Sequence, residues 1–407
     1  MKEESESDAY IYRNRNISRF WYLRSSFALL LTISMGGLVG CSSFAAIHQT
    51  NNQDREIRIG LVVSLNQESA EVGESTVDGA QLAVQEINNV GGVEVGGRQR
   101  QVELVVEDDQ DTPEMAVSAV QKLINQEDVV AIVGPQLSRN AIPAADVAER
   151  AQIPLISPVS TNPETTKDKR YVFRTTFVDP FQGQVMARFA FRNLGAQKAA
   201  VLYDVASAYN RGIAEVFKQA FEENGGRVVA FESYTTGQQD FSSQLDRIRA
   251  SRPDVLFLPN LDNEVPRQAR QARQAKISAT LLGTDAWGTI PAEERVELDG
   301  AYYSTQYAAD SQNPRTEAFI RLYKQTYQNE PDDVAATTYD TMRLLFQAIQ
   351  TQGKADPESI REGLSTIGQF EGVTGTIQYR GTGDPARSLV ILRLQKGQPI
   401  FHRQDDP

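Results

Sequence analysis

Ile57-Arg58-Ile59-Gly60-Leu61-Val62-Val63 is an almost unbroken aliphatic run, and after it Val77, Ala80, Ala83, Val84 and Ile87 recur at helical spacing until Gly91-Gly92. A strand that is apolar on both faces must be covered on both sides, and the amphipathic stripe that follows is a helix suited to cover it. The glycine pair ends that helix, because glycine alone takes the left-handed conformation without penalty. The same strand–helix step repeats. Strand-like runs fall at 102–106, 129–133 and 153–156, then at 199–203, 228–231, 255–258 and 279–282. Ile213, Val216, Phe217, Ala220 and Phe221 form another stripe, stopped by Gly225-Gly226. Alternation of this kind predicts α/β architecture with doubly wound parallel sheets.

The chain has 407 residues, more than one such sheet needs. Two series, 56–175 and 176–303, each have the length of one Rossmann-like lobe. The remainder opens with two helical stripes, Phe319, Ile320, Tyr323, Tyr327 and then Tyr339, Met342, Leu345, Phe346, Ile349, and ends in β-like runs at 375–379 and 389–394. Residues 304–372 are therefore expected to rejoin lobe one and 373–403 to rejoin lobe two. Several crossings between lobes make a hinge, and the cleft outside the carboxyl ends of the strands is where such folds hold small ligands.

Ahead of the first strand, residues 27–40 are apolar and follow Arg13, Arg15, Arg19 and Arg24. These 14 residues fall short of the ~20 that a spanning helix requires, which predicts an export signal over 1–40. The acidic opening Glu3, Glu4, Glu6 and Asp8 departs from the usual signal. The sole cysteine, Cys41, follows Leu38-Val39-Gly40 and resembles the lipobox of bacterial lipoproteins, which implies lipidation of Cys41 and a tether over 41–55. One cysteine permits no intrachain disulfide, so the fold rests on its core.

Composition narrows the chemistry. There are only two histidines, His48 and His402, so a histidine base or a His-rich zinc site has little to be built from. Lys plus Arg total 41 against 53 Asp plus Glu, a net of -12 with no basic stripe, which argues against nucleic acid. No Gly-x-Ser-x-Gly elbow, P-loop or dinucleotide fingerprint is present, so neither an enzyme nor a cofactor is expected. The acids Glu107, Asp108, Asp109 and Asp111 lack the loop glycine and terminal glutamate of a calcium loop, and no metal is expected there.

Several phrases stand in order: Ile59-Gly60-Leu61-Val62, Asp78-Gly79-Ala80, Gly91-Gly92-Val93, Val133-Gly134-Pro135, Ile156-Ser157-Pro158, Val172-Phe173-Arg174-Thr175, Leu282-Gly283-Thr284-Asp285, Tyr339-Asp340 and Phe370-Glu371-Gly372-Val373. Over Glu56 to Phe401 this order resembles the leucine/isoleucine/valine-binding family of type I periplasmic solute receptors, which serve ABC importers. The resemblance implies that Ser138, at the start of a helix over 139–150, holds the α-carboxylate of an amino acid, where free N–H groups and the helix dipole favour an anion. It implies that Ser160 and Thr161 add a backbone carbonyl, a backbone N–H and a hydroxyl, and that Asp285 faces the ammonium. Tyr209 matches an aromatic that covers the ligand from lobe two, and Trp287 is expected to help line the side-chain pocket. The sequence departs from the family at Val72, where a tyrosine is common, at Leu261, where an aromatic is common, and at Leu137, where some members carry cysteine.

The function these residues imply is a lipid-anchored extracytoplasmic receptor that binds a small neutral or branched-chain amino acid and delivers it to an ABC permease. It is expected to act as a monomer. The alternatives are a ligand-sensing receptor domain, or a binder of a related solute such as urea or an amide.

Overall fold

The computed structural model describes residues 56–65 and 69–407; the export signal, Cys41 and the tether lie outside them. Lobe one is a five-stranded parallel sheet of β1 (Ile57–Val63), β2 (Val102–Asp108), β3 (Ala131–Val133), β4 (Leu155–Ser157) and β5 (Val172–Arg174), in the order β2-β1-β3-β4-β5. Helices α1 (Ala70–Asn89), α2 (Pro113–Asn125) and α3 (Ser138–Ala151) alternate with the first four of these strands. In β1 every residue except Arg58 is buried, as a strand sandwiched between helices requires. Gly92 (φ 109°) turns the chain out of α1, and a Cβ there would come within 2.0 Å of the Arg100 carbonyl oxygen, so only glycine fits.

Lobe two contains β6 (Lys198–Asp204), β7 (Arg227–Tyr234), β8 (Val255–Phe257), β9 (Thr280–Gly283) and β10 (Tyr302–Thr305), all parallel. The late strands β11 (Leu389–Gln395) and β12 (Gln398–Asp405) add to the β10 edge in antiparallel sense, giving the order β12-β11-β10-β9-β8-β6-β7. Its helices are α4 (Asp179–Arg188), α5 (Ala208–Glu223), α6 (Ser242–Ser251) and α7 (Val265–Gln274). Doubly wound sheets thus appear in both lobes, as the alternation predicts.

Helices α8 (Pro314–Tyr327), α9 (Asp333–Gln352) and α10 (Pro357–Thr366) return to lobe one. Phe319, Tyr323, Tyr339, Met342 and Leu345 join the core formed by Ile57, Ile59 and Leu61. Each helix starts on a side-chain cap: Asn313 accepts from the Arg315 amide, Asp332 from the Ala335 amide and Asp356 from the Ser359 amide.

The expected third crossing at residue 373 is corrected. Val373, Ile377 and Tyr379 belong to the lobe-one core, and Tyr379 packs edge to face on Phe173 at 5.6 Å. The chain enters lobe two only at β11, after the short strand Pro385–Ala386. The reason is a contact between distant segments: the Tyr379 hydroxyl donates to the Arg174 carbonyl at 2.7 Å, which ties the hairpin to β5.

Where the crossings meet, Arg387, itself in the third, is buried (3 % exposed) and donates to carbonyls of the other two and of the lobe-one turn at Thr374. Its acceptors are Thr175 O, Gln306 O at 3.4 Å and Thr374 O at 2.9 Å, with the Thr374 hydroxyl at 3.1 Å. Burial lowers its pKa to about 10, the nearby Asp340 charge opposing, so it is still protonated at neutral pH. One guanidinium therefore fastens three strands of backbone with a fork that lysine cannot reproduce. Arg387→Ala is expected to lower stability by about 3 kcal/mol and Arg387→Lys to recover only part of that, read by urea unfolding.

Candidate functional site

The loops that follow β3, β4, β6, β8 and β9 leave the carboxyl ends of the two parallel sheets and border one cavity between the lobes. Lobe one contributes Leu137, Ser138 and Arg139 after β3, and Val159, Ser160 and Thr161 after β4. Lobe two contributes Ser207 and Tyr209 after β6, Leu261 and Asp262 after β8, and Asp285, Ala286 and Thr289 after β9. Asp333 and Val334, at the start of α9, and Ser69, Val72 and Gln136 of lobe one complete the lining. The lobes touch beside it, where the Asn162 side-chain amide donates to the Ala208 carbonyl at 3.3 Å.

On the lobe-one wall Ser138 is the first residue of α3, and the capping residue is Leu137, which has no polar side chain. The first N–H groups of the helix therefore have no side-chain cap and point toward the cavity end. The Ser138 hydroxyl lies 2.9 Å from that of Ser160, which lies 2.8 Å from that of Thr165. This chain of hydroxyls can rotate its protons toward an anion and, with the helix dipole, makes a carboxylate-accepting wall.

The loop carrying Ser160 and Thr161 is fixed from behind by Arg174, which is fully buried. Its guanidinium donates to Ser160 O at 2.7 Å, Asn162 O at 2.8 Å, the Thr166 hydroxyl at 2.8 Å and Asp384 at 2.7 Å. The Thr161 carbonyl accepts from the Asp179 amide at 2.9 Å, a second tie across the lobes. The Ser160 and Thr161 carbonyls are thus already held by the protein.

Asp285 opens the 3-10 turn Asp285–Trp287 and is 7 % exposed. One carboxylate oxygen accepts from Gln182 Nε2 at 2.7 Å and from the Tyr209 hydroxyl at 2.8 Å, and that hydroxyl also lies 2.7 Å from Thr284 Oγ1. Burial raises the pKa of Asp285 while Gln182 and Tyr209 oppose the rise. Behind it Asp179 is pushed up to about 7, mainly by burial; the Thr161 hydroxyl beside it lowers it, the Asp285 charge raises it and Arg174 lowers it. Arg139, the only cation in the lining, has both oxygens of Asp111 at 2.6 Å, so it brings little net positive charge to the cavity.

The cavity thus brings together Ser138, Ser160, Thr161, Tyr209 and Asp285, and leaves Trp287 out. That expectation is corrected: Trp287 is 1 % exposed within the lobe-two core, its ring 6.1 Å from Tyr303 and its indole N–H donating to Leu258 O at 3.2 Å. It packs flat on Gly283, where a Cβ would stand 2.1 Å from the ring. Sequence reasoning missed Gln182, Arg174 and Asp333. An arginine inside the apolar run Val172-Phe173-Arg174 was the one visible signal, since arginine is buried only when paired. Among the described residues no group of histidine, cysteine and acid side chains is placed to hold a metal, and no helix is long and apolar enough to cross a membrane.

A family model described as "Periplasmic binding protein" matches residues 56–399. A Pseudomonas aeruginosa leucine-, isoleucine-, valine-, threonine- and alanine-binding protein is 29 % identical over 331 residues, covering 81 % of this chain and 87 % of its own. A leucine-binding protein from Thermotoga maritima superposes with a TM-score of 0.80 at 31 % identity, over 86 % of this chain and 99 % of its own. The substrate-binding protein of a branched-chain amino acid transporter from Streptococcus pneumoniae, in complex with isoleucine, does so at 0.81 and 29 % identity, over 87 % and 100 %.

The buried acids give the site a pH signature. In the unfolded chain Asp179 titrates near ~4, whereas in the fold it titrates at about 7. Between those values the folded state keeps a proton that the unfolded state has lost, so this contribution is full below ~4 and disappears as pH rises through about 7. Asp179→Asn removes the titration. Relative to wild type the variant is expected to gain up to about 4 kcal/mol between pH 4 and pH 7 in urea unfolding; a difference that does not change with pH contradicts the assignment.

Proposed function

The chain belongs to the periplasmic binding protein family, and on that premise we propose that it is an extracytoplasmic receptor that captures a small neutral or branched-chain amino acid between its lobes. The observation that carries the reading is the division of polarity across one cavity. Asp285, set by Gln182 and Tyr209, stands on lobe two; the helix end and hydroxyls of Ser138 and Ser160 stand on lobe one. Taking both charges of a zwitterion out of water costs several kcal/mol each unless each meets a partner. The ammonium finds a carboxylate that already accepts two hydrogen bonds, and the carboxylate finds N–H and O–H donors. Val72, Leu137, Val159 and Leu261 leave an aliphatic wall for the side chain.

Because the two charges bind different lobes, both contacts exist only when the lobes are together, and the amino acid favours the closed state by that difference. The closed receptor is the form that an ABC permease would recognise, in keeping with the transporter to which the Streptococcus protein belongs. We assign no chemical turnover to the site. Lipidation of Cys41 would hold the receptor at the membrane surface, and the protein is read as a monomer.

The test is a thermal-shift panel on the full chain, since a ligand that binds only the native state raises its apparent stability. Leucine, isoleucine, valine, threonine and alanine are expected to raise the transition, and the corresponding deaminated acids to leave it unmoved. Asp285→Asn is expected to lose most of the amino-acid response while its ligand-free transition is at least as high as that of the wild type. A larger shift with deaminated acids, urea or amides would overturn the amino-acid reading.

A further inference from the structure

We propose that the solute carries a second hydrogen-bond donor, an N–H or O–H on its side chain, and that Asp333 receives it in the cavity. This rests on the amino-acid reading of the same site and narrows it: among small neutral α-amino acids, those whose short side chains end in a hydroxyl or amide group.

An α-ammonium needs one carboxylate, and Asp285 supplies it. Asp333 reaches the same cavity from a different element, the first residue of α9, and is 4 % exposed. Its Oδ2 accepts from the Thr305 hydroxyl at 3.0 Å, while its Oδ1 is buried without a hydrogen-bond partner. The neighbouring acids are better served. Asp262, also in the lining, accepts from the Thr289 hydroxyl at 2.6 Å through one oxygen and from the Asn263 amide at 3.0 Å through the other. Asp332 accepts from the Ala335 amide at 2.8 Å and from the Ser75 hydroxyl.

The fold makes room for Asp333. Gly288 lies against the carboxyl group, and a Cβ at that position would stand 2.0 Å from Oδ1. Arg139 is occupied by Asp111, so no lining residue supplies a positive charge to Asp333. A buried carboxylate oxygen without a donor costs free energy that the empty site meets by holding a proton, and an aliphatic side chain closing over it would leave Asp333 protonated or unpaired in the bound state. A side-chain donor removes the loss. The aliphatic lining then contacts only the stem of the side chain. Sites built to hydrogen-bond one group reject the analogue that lacks it far more strongly than an apolar pocket rejects an extra hydroxyl.

The experiment is titration calorimetry on the full chain with shape-matched pairs: threonine against valine, and asparagine against leucine. In at least one pair the donor-bearing member is expected to bind about tenfold or more tighter, and Asp333→Ala to reduce that ratio to about twofold or less. If the apolar member binds as tightly or more tightly in every pair on the wild-type protein, the Asp333 assignment is overturned and the amino-acid reading stands. If a preference for the donor survives unchanged in a folded Asp333→Ala protein, Asp333 is not the receiver. If none of the amino acids binds, the underlying reading falls with it. The wild-type pairs decide the matter even if the variant does not fold.

Discussion

A carboxylate closed away from water between two lobes is the constraint around which this protein is arranged. Asp285 is buried in a cavity whose lining cation is already neutralised, so its charge is tolerated only through the donors aimed at it, Gln182 and Tyr209. Those donors come from α4 and α5, and Asp285 itself from the end of β9. Their convergence depends on the parallel order of β6, β8 and β9, which brings successive loops to the same edge of the sheet. Lobe one repeats the device with the opposite polarity, offering a helix start and hydroxyls where lobe two offers an acid.

Two buried guanidiniums hold this geometry without entering the cavity. Arg174 pins the backbone of the Ser160 loop, and Arg387 joins the three crossings. Both serve backbone carbonyls of irregular segments, which the sheets leave without a ladder partner. A hinge of this kind is stiff at its knot and free on either side. The lobes can part along the contacts Asn162–Ala208 and Thr161–Asp179 while the knot stays whole.

Much of this was legible in the sequence. The continuous run 57–63, the stripe from Val77 to Ile87 and the Gly91-Gly92 stop are local signals, set by periodicity and by backbone conformations only glycine accepts. The strand–helix alternation follows, and with it the edge of the sheet where a site must lie. Ser138, Ser160, Thr161, Tyr209 and Asp285 were singled out because a family resemblance attached roles to their positions, and they line one cavity. Trp287 was misplaced because a 3-10 turn puts the side chain two residues after Asp285 on the opposite side, against Gly283 and Tyr303. The crossing at 373 was misplaced because the Tyr379–Arg174 tie joins segments far apart in the chain. Arg387 and Asp333 are ordinary charged residues as letters; only packing shows that one is enclosed among carbonyls and the other beside Gly288.

The acids also explain why closure should depend on the solute. Asp285 raises the pKa of Asp179 and of Asp333, and Asp333 is pushed up to about 8 by burial together with the charges of Asp332 and Asp285. In a closed cavity without solute these groups must hold protons or repel one another, and either course opposes bringing the lobes together. An arriving ammonium reverses the sign of the interaction: it favours the ionised form of Asp285 and screens that charge from its neighbours. The electrostatic cost of closing is then offset by the molecule being captured, so the lobes are held together by the solute and not by their own contacts alone. A receptor that has to report occupancy to a partner needs this asymmetry, and acids facing one cavity from both lobes, Asp285 from lobe two and Asp333 from α9, supply it.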